Sequence, residues 1–214
     1  MNTNELIASL SMEASGKHLG APGYYALYLG FVLVVYAIGA QIFLGLRSDL
    51  AAQFTRPMFS LEIILLALLT VSSAVAAILS MYPDAHQKQN VLRYPYVIFA
   101  ALIVFILFQL AMPHEPMMVI PTAFDVHGMG CALCIAGVTI VPSAMIFGLL
   151  RKGASVHPLR SGFFTVLAAS AIGCLTLRLS EANDSLMHMV SWHYVPTLLF
   201  AALGALIGKW LLKW

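Results

Sequence analysis

The stretch SLEIILLALLTVSSAVAAILSM, residues 60–81, decides the fold. It carries a single ionisable side chain, Glu62, and as an α-helix it is long enough to cross about 30 Å of hydrocarbon, which takes about 20 residues. Working outward, stretches of the same kind lie at Tyr24 to Leu46, Tyr94 to Met112, Gly128 to Leu150, Ser161 to Leu179 and Val190 to Leu212. The segments between them supply the charge, proline and glycine that end spans: Arg47-Ser48-Asp49-Leu50, Tyr82-Pro83-Asp84, Pro113-His114-Glu115-Pro116, Arg151-Lys152-Gly153 and Glu181-Ala182-Asn183-Asp184. The expected architecture is all-α: an integral membrane bundle of six transmembrane helices, residues 24–214, preceded by a polar arm, residues 1–23.

Composition agrees. Hydrophobic residues make up 61% of the chain and charged residues only 9%, with a mean hydropathy of +0.90. Too few polar groups remain to cover a water-soluble globule. A net charge of +2 leaves no basic stripe for a phosphate backbone, so no direct nucleic-acid partner is expected. The connecting segments are too short to fold as soluble domains, and three cysteines are too few for a disulfide framework.

The first apolar run reads as a retained span rather than a signal peptide. Small residues at Ile38-Gly39-Ala40 suit a peptidase, but the run continues through Gln41 to Leu44, and the arm carries Glu5 and Glu13 against the single Lys17. With the amino terminus inside, Lys17, Lys88, Arg93, Arg151, Lys152, Arg160, Lys209 and Lys213 are cytoplasmic, and only Arg47, Arg56 and Arg178 face outward. This asymmetry favours both termini in the cytoplasm, with the bundle in contact with lipid.

The midplane positions, near Val35, Thr70, Ile103, Thr139, Ser170 and Ala202, carry no ionisable group. A transporter needs such groups or broken helices to replace the hydration of its cargo. The hydroxyls can instead bond a carbonyl one turn earlier in their own helix. Glu62 and Arg178 are expected near the outer ends of their spans, reaching for headgroups. Pro142 is expected to kink the fourth span, and Gly204 and Gly208 offer small-xxx-small spacing, either for packing within the bundle or for a dimer.

Chemistry concentrates on the outer side. His127, Cys131 and Cys134 fall at i, i+4 and i+7 and share a helical face. Cys174 approaches the same depth from the fifth span, and His114, His188 and His193 belong to the same side. Thiolate and imidazole together suit zinc, cadmium or copper. The same residues are open to two other readings: inert buried thiols, or a Cys131–Cys134 redox couple.

In the arm, Asn2-Thr3-Asn4-Glu5 has the pattern of a capped helix start, and Leu6, Ile7 and Leu10 form an apolar ridge that Ala14 continues. So short a helix is marginal in water and needs a partner's groove or a lipid surface to stabilise it. Acidic rather than basic residues on its polar face favour a protein partner.

The stretch Gly148-Leu-Leu-Arg-Lys-Gly-Ala154, with Pro158, Gly162, Asp184-Ser185, Trp192 and the close from Gly204 to Trp214, resembles the NrsF family of six-span bacterial anti-sigma factors. Thr3-x-x-Leu6-Ile7-x-x-Leu10 and the Arg47-Ser-Asp49-Leu50 turn match as well. The resemblance implies a non-enzymatic regulator whose arm, around Leu6, Ile7 and Leu10, binds an extracytoplasmic-function sigma factor and releases it on envelope, metal or redox stress. It implies no resident cofactor beyond a sensed metal ion. It carries Cys131 over as a sensor residue; the family's second cysteine, just after the fifth span, is replaced here by the segment Leu179-Ser180-Glu181-Ala182, leaving Cys134 or Cys174 as substitutes or no paired-thiol sensor at all. The rival classes are a small multi-span transporter and a membrane thiol oxidoreductase.

Overall fold

Prolines set where half of the α-helices begin. Because a proline at the first or second helical position gives up an N–H that has no partner there anyway, it starts a helix without loss. Pro22, Pro57, Pro158 and Pro196 occupy such positions in helices α1 (Pro22–Leu44), α3 (Pro57–Leu79), α6 (Pro158–Ser180) and α8 (Val195–Leu211). The remaining elements are the short α2 (Leu50–Phe54), α4 (Gln89–Ala111), α5 (Gly128–Leu150) and the short α7 (Leu186–Met189). A 3-10 turn, Pro83–Lys88, leads into α4, and a π turn, Val190–Tyr194, joins α7 to α8. This computed structural model describes residues 2, 3, 5, 20–112 and 128–212.

The described chain is all-helical, and six of its helical stretches are long and apolar enough to cross a membrane. They match the six stretches read from the sequence, with two shifts. The third begins at Gln89 rather than Tyr94, so Pro95 lies inside it. Its missing N–H costs one bond near the end of the span, where the helix tolerates the loss. The last span begins at Leu186 and passes through the π turn. Pro142 is also interior, and α5 runs from Gly128 to Leu150 without a break in its assignment.

Helix α6 is the axis of the bundle. Its apolar window is 83% buried, against 11% for α1 at the periphery. It packs on α3, α5, α8 and α1. Closest of all is α8: a methyl group added to Gly162 would collide with the Gly204 carbonyl, and one on Gly208 would fall 2.7 Å from the Gly162 Cα. Gly204 and Gly208 therefore serve contact within the bundle, gaining dispersion where lipid offers no hydrophobic drive.

The outer faces are apolar, with Leu27, Phe31, Ile42 and Phe43 on α1, Val104 and Leu107 on α4, and Leu203 and Trp210 on α8 all exposed. Bare apolar surface of that extent belongs in hydrocarbon. Inside, Thr70 and Thr139 donate to the carbonyls of Leu66 at 2.9 Å and Ile135 at 2.6 Å, so the midplane hydroxyls are satisfied within their own helices. At the end of the bundle nearest the arm, the Tyr82 hydroxyl donates to the Gly20 carbonyl at 2.6 Å. Two clusters of charged, imidazole and thiol groups lie at the opposite end.

Candidate functional site

Two adjoining clusters occupy that far end. The first begins where α1 stops. Gly45, at φ 80°, is in the left-handed region that glycine enters freely, and it turns the chain so that Arg47 points back into the bundle. The Arg47 amide donates to the Leu179 carbonyl at 3.1 Å. Its guanidinium forks twice: Nε and Nη2 reach Asp49 at 2.7 and 2.9 Å, and Nη1 and Nη2 reach Asp184 at 2.9 and 3.0 Å. Gln53 donates to both carboxylates, at 2.9 and 3.1 Å.

Arg178 extends the network into α6. It donates to Asp184 at 2.7 Å and to Glu62 of α3 at 3.0 Å, and Glu62 also accepts from the Tyr194 hydroxyl. Both guanidinium groups sit over the Phe59 ring, at 5.8 Å for Arg47 and 4.8 Å for Arg178. The expectation that Glu62 and Arg178 reach for headgroups is thus overturned. Both are buried and bonded to each other, a pairing that offsets the cost of taking each charge out of water.

These contacts shift the groups on the connecting turns. The fork from Arg47 holds Asp49 below the usual carboxylate range, and its bonds to Asp49 and Asp184 raise Arg47. Burial pushes Asp184 up, but hydrogen bonds from Arg47 and Arg178 outweigh it and leave the carboxyl low.

The second cluster gathers Cys131, Glu181, His188 and His193, whose ligating atoms all lie within 4.8 Å of one another. The Cys131 thiol donates to Glu181 Oε2 at 3.4 Å, and His193 Nε2 donates to the same oxygen at 3.0 Å. His188 Nε2 is 3.0 Å from Glu181 Oε1 but lies off the axis of a directed bond, so it remains without a hydrogen-bond partner. Burial raises Glu181, while the His193 bond and the fields of both imidazoles overcome that and keep it below its ordinary value.

The π turn makes this arrangement possible. On an α-helix, residues five apart stand about 140° apart around the axis. The wider i→i+5 turn of Val190–Tyr194 brings His188 and His193 to one side, with ring centroids 5.5 Å apart.

Among the described sensor residues read from sequence, Cys131, Cys134 and Cys174, the first stands in this cluster. Cys134 borders Tyr36, Phe43 and Val138. Cys174 is fully buried, packed in an apolar cluster with Leu66, Leu69, Ile135 and Ala201. All three cysteines are free thiols. His127 and His114, like Leu6, Ile7 and Leu10 of the arm, lie outside the described residues. The structure brings in Glu181, Asp184, Arg47 and Tyr194 as groups that sequence reading did not assign to a site, and it gathers His188 and His193, which sequence placed on the same side, into the cluster. One signal did exist: Glu181 sits where the family resemblance places a second cysteine. At the start of the arm, the Asn2 amide donates to the Glu5 carboxylate at 3.0 Å and the Glu5 amide to the Asn2 carbonyl at 3.0 Å, one half of the reciprocal capping pattern.

Fold and site together define a multi-pass membrane protein with an ionic and thiol-bearing end. The family model for NrsF, negative regulator of sigma F, matches residues 17–214, and the chain belongs to that family. It is also 26% identical over 219 residues, covering the whole of both chains, to a protein of Azospira oryzae named as a probable anti-sigma-F factor NrsF. No solved structure matches.

Proposed function

We propose that this protein is a membrane-bound anti-sigma factor that holds an extracytoplasmic-function sigma factor at the inner membrane through its amino-terminal arm. The match of the family across nearly the whole chain carries this reading. Its role is regulatory rather than catalytic. With both termini in the cytoplasm, Leu6, Ile7 and Leu10 supply the apolar contact with the sigma factor, directly after the Asn2–Glu5 pair in sequence.

Release follows from how the arm is attached. The arm leads into α1, which is peripheral and tied to the bundle by a few polar contacts: Tyr36 to the Val138 carbonyl at 2.9 Å, Gln41 to Ser180 at 2.7 Å and Arg47 to Asp184. Two of those ties reach residues flanking Glu181. A stress that alters the 181–185 turn therefore changes how α1 is held, and α1 carries the arm. This requires two arrangements of the bundle with different affinities for the sigma factor.

The test is co-purification of the intact chain from bacterial membranes with extracytoplasmic-function sigma factors, beside a Leu6→Asp, Leu10→Asp variant. Retention by the native chain and loss in the variant is the expected result. Retention by both moves the contact out of the arm, and retention by neither overturns the reading.

A further inference from the structure

We propose that Cys131, Glu181, His188 and His193 form a binding site for one zinc-class divalent cation at the far end of the bundle. The site stands on its own geometry; only its use as a release signal rests on the anti-sigma reading.

The donor set is the first argument. One sulfur, one carboxylate oxygen and two imidazole nitrogens are ligands that borderline dications prefer, and four of them complete a tetrahedral shell. Magnesium and calcium, which require oxygen, are excluded by the same set. The second argument is charge. Once Cys131 has given its proton to solvent, thiolate and carboxylate carry two negative charges and the neutral imidazoles none, which balances a dication in a poorly polar setting.

The third argument is the state of the imidazoles. His193 is fully buried, and the His188 side chain is only 8% exposed. His188 Nε2 is buried, directed into the cluster and without a hydrogen-bond partner. An unsatisfied buried nitrogen costs about 1–3 kcal/mol, a cost that coordination removes. Tetrahedral donors around zinc stand about 3.3–3.6 Å apart. The four atoms here lie within 4.8 Å, so closing on an ion takes side-chain shifts of about 1 Å. Glu181, 21% exposed, leaves the cluster open to entry at the bundle end.

The ligands come from α5, from the turn after α6 and from the last span, so an ion would tie three segments together directly. Nothing in this requires Cys134 or Cys174.

The experiment uses the full chain purified in detergent, stripped with chelator and titrated with Co²⁺ and Zn²⁺. The expected result is one ion per chain, a thiolate-to-cobalt charge-transfer band, intense tetrahedral ligand-field bands, and displacement of cobalt by zinc. Cys131→Ser should abolish the charge-transfer band, and His188→Ala should weaken binding at least tenfold. Cys134→Ser and Cys174→Ser should leave both unchanged. Thermal unfolding of each variant without metal identifies any that fail to fold, and Glu181→Gln serves as a second conservative probe. Cobalt binding without a thiolate band, or binding unaltered in folded Cys131→Ser and His188→Ala, overturns the site. Loss of sigma-factor capture in the native chain would refute the anti-sigma reading and leave the metal result untouched.

Discussion

Arg47 and Asp184, separated by 137 residues, meet through two parallel hydrogen bonds of 2.9 and 3.0 Å. The contact closes the peripheral first span onto the turn between the fifth and sixth. A guanidinium suits this position because its planar fork serves two carboxylates at once, which a lysine ammonium cannot do.

Arg47→Ala should therefore destabilise the bundle. The Arg47 side chain is 1% exposed, and its removal leaves Asp184 facing Arg178 and Gln53 alone. Breaking a buried pair costs about 3–5 kcal/mol, and the partial exposure of Asp184, at 26%, lowers the expectation to about 2–3 kcal/mol. Arg47→Lys should restore less than half. Thermal or denaturant unfolding in a fixed detergent measures both, and an unchanged midpoint for Arg47→Ala would show that the fork contributes nothing.

Acid should loosen the same end. Asp184 and Glu181 both have folded values below their ordinary ones, so their stabilisation is complete above the unfolded carboxylate pKa of about 4. It is lost as pH falls below that through the depressed folded values. The melting temperature should be flat near neutrality and fall below about pH 4, with a shallower fall in Asp184→Asn. Melting curves at stepped pH provide the check; no fall below about pH 4 would show that the two carboxylates contribute nothing.

Contact between α6 and α8 should tolerate no added atoms. Gly162→Ala and Gly204→Ala place a methyl against backbone or against Val166, and overpacking of this kind costs about 1–3 kcal/mol. Gly30→Ala and Gly39→Ala on α1 meet nothing within 4 Å and should be neutral or stabilising by about 0.5–1 kcal/mol. Unfolding of the four variants side by side distinguishes the two classes.

Thiol accessibility should follow position in the bundle. Cys174 is fully buried and should resist a maleimide until the chain unfolds, while Cys131 and Cys134 are partly exposed and should react in the folded protein. Mass spectrometry after timed labelling reports the order. Rapid modification of Cys174 would contradict its place in the core.

Much of this protein was legible in its sequence. Apolar runs bounded by charge and proline specify six spans, because hydrocarbon admits a backbone only when its polar groups are bonded internally, and each run is long enough for a helix. The resemblance read along the chain likewise identified the family. What it did not disclose was which span is central, that Glu62 and Arg178 pair across helices, or that Glu181 joins Cys131. Spans that are apolar all round carry little record of which face turns inward, and the rotation of each helix about its axis is settled only when all six pack together. Cys131, Cys134 and Cys174 illustrate this: sequence placed them on one side of the membrane, and packing alone decides that Cys131 meets Glu181 while Cys174 is sealed in the core. His188 and His193 show the complementary effect, because a π turn within the last span brings together two residues that α-helical spacing sets apart. Local hydropathy thus determined the number and extent of the spans, while the charged and thiol clusters depend on contacts between residues distant in sequence, which only the packed bundle creates.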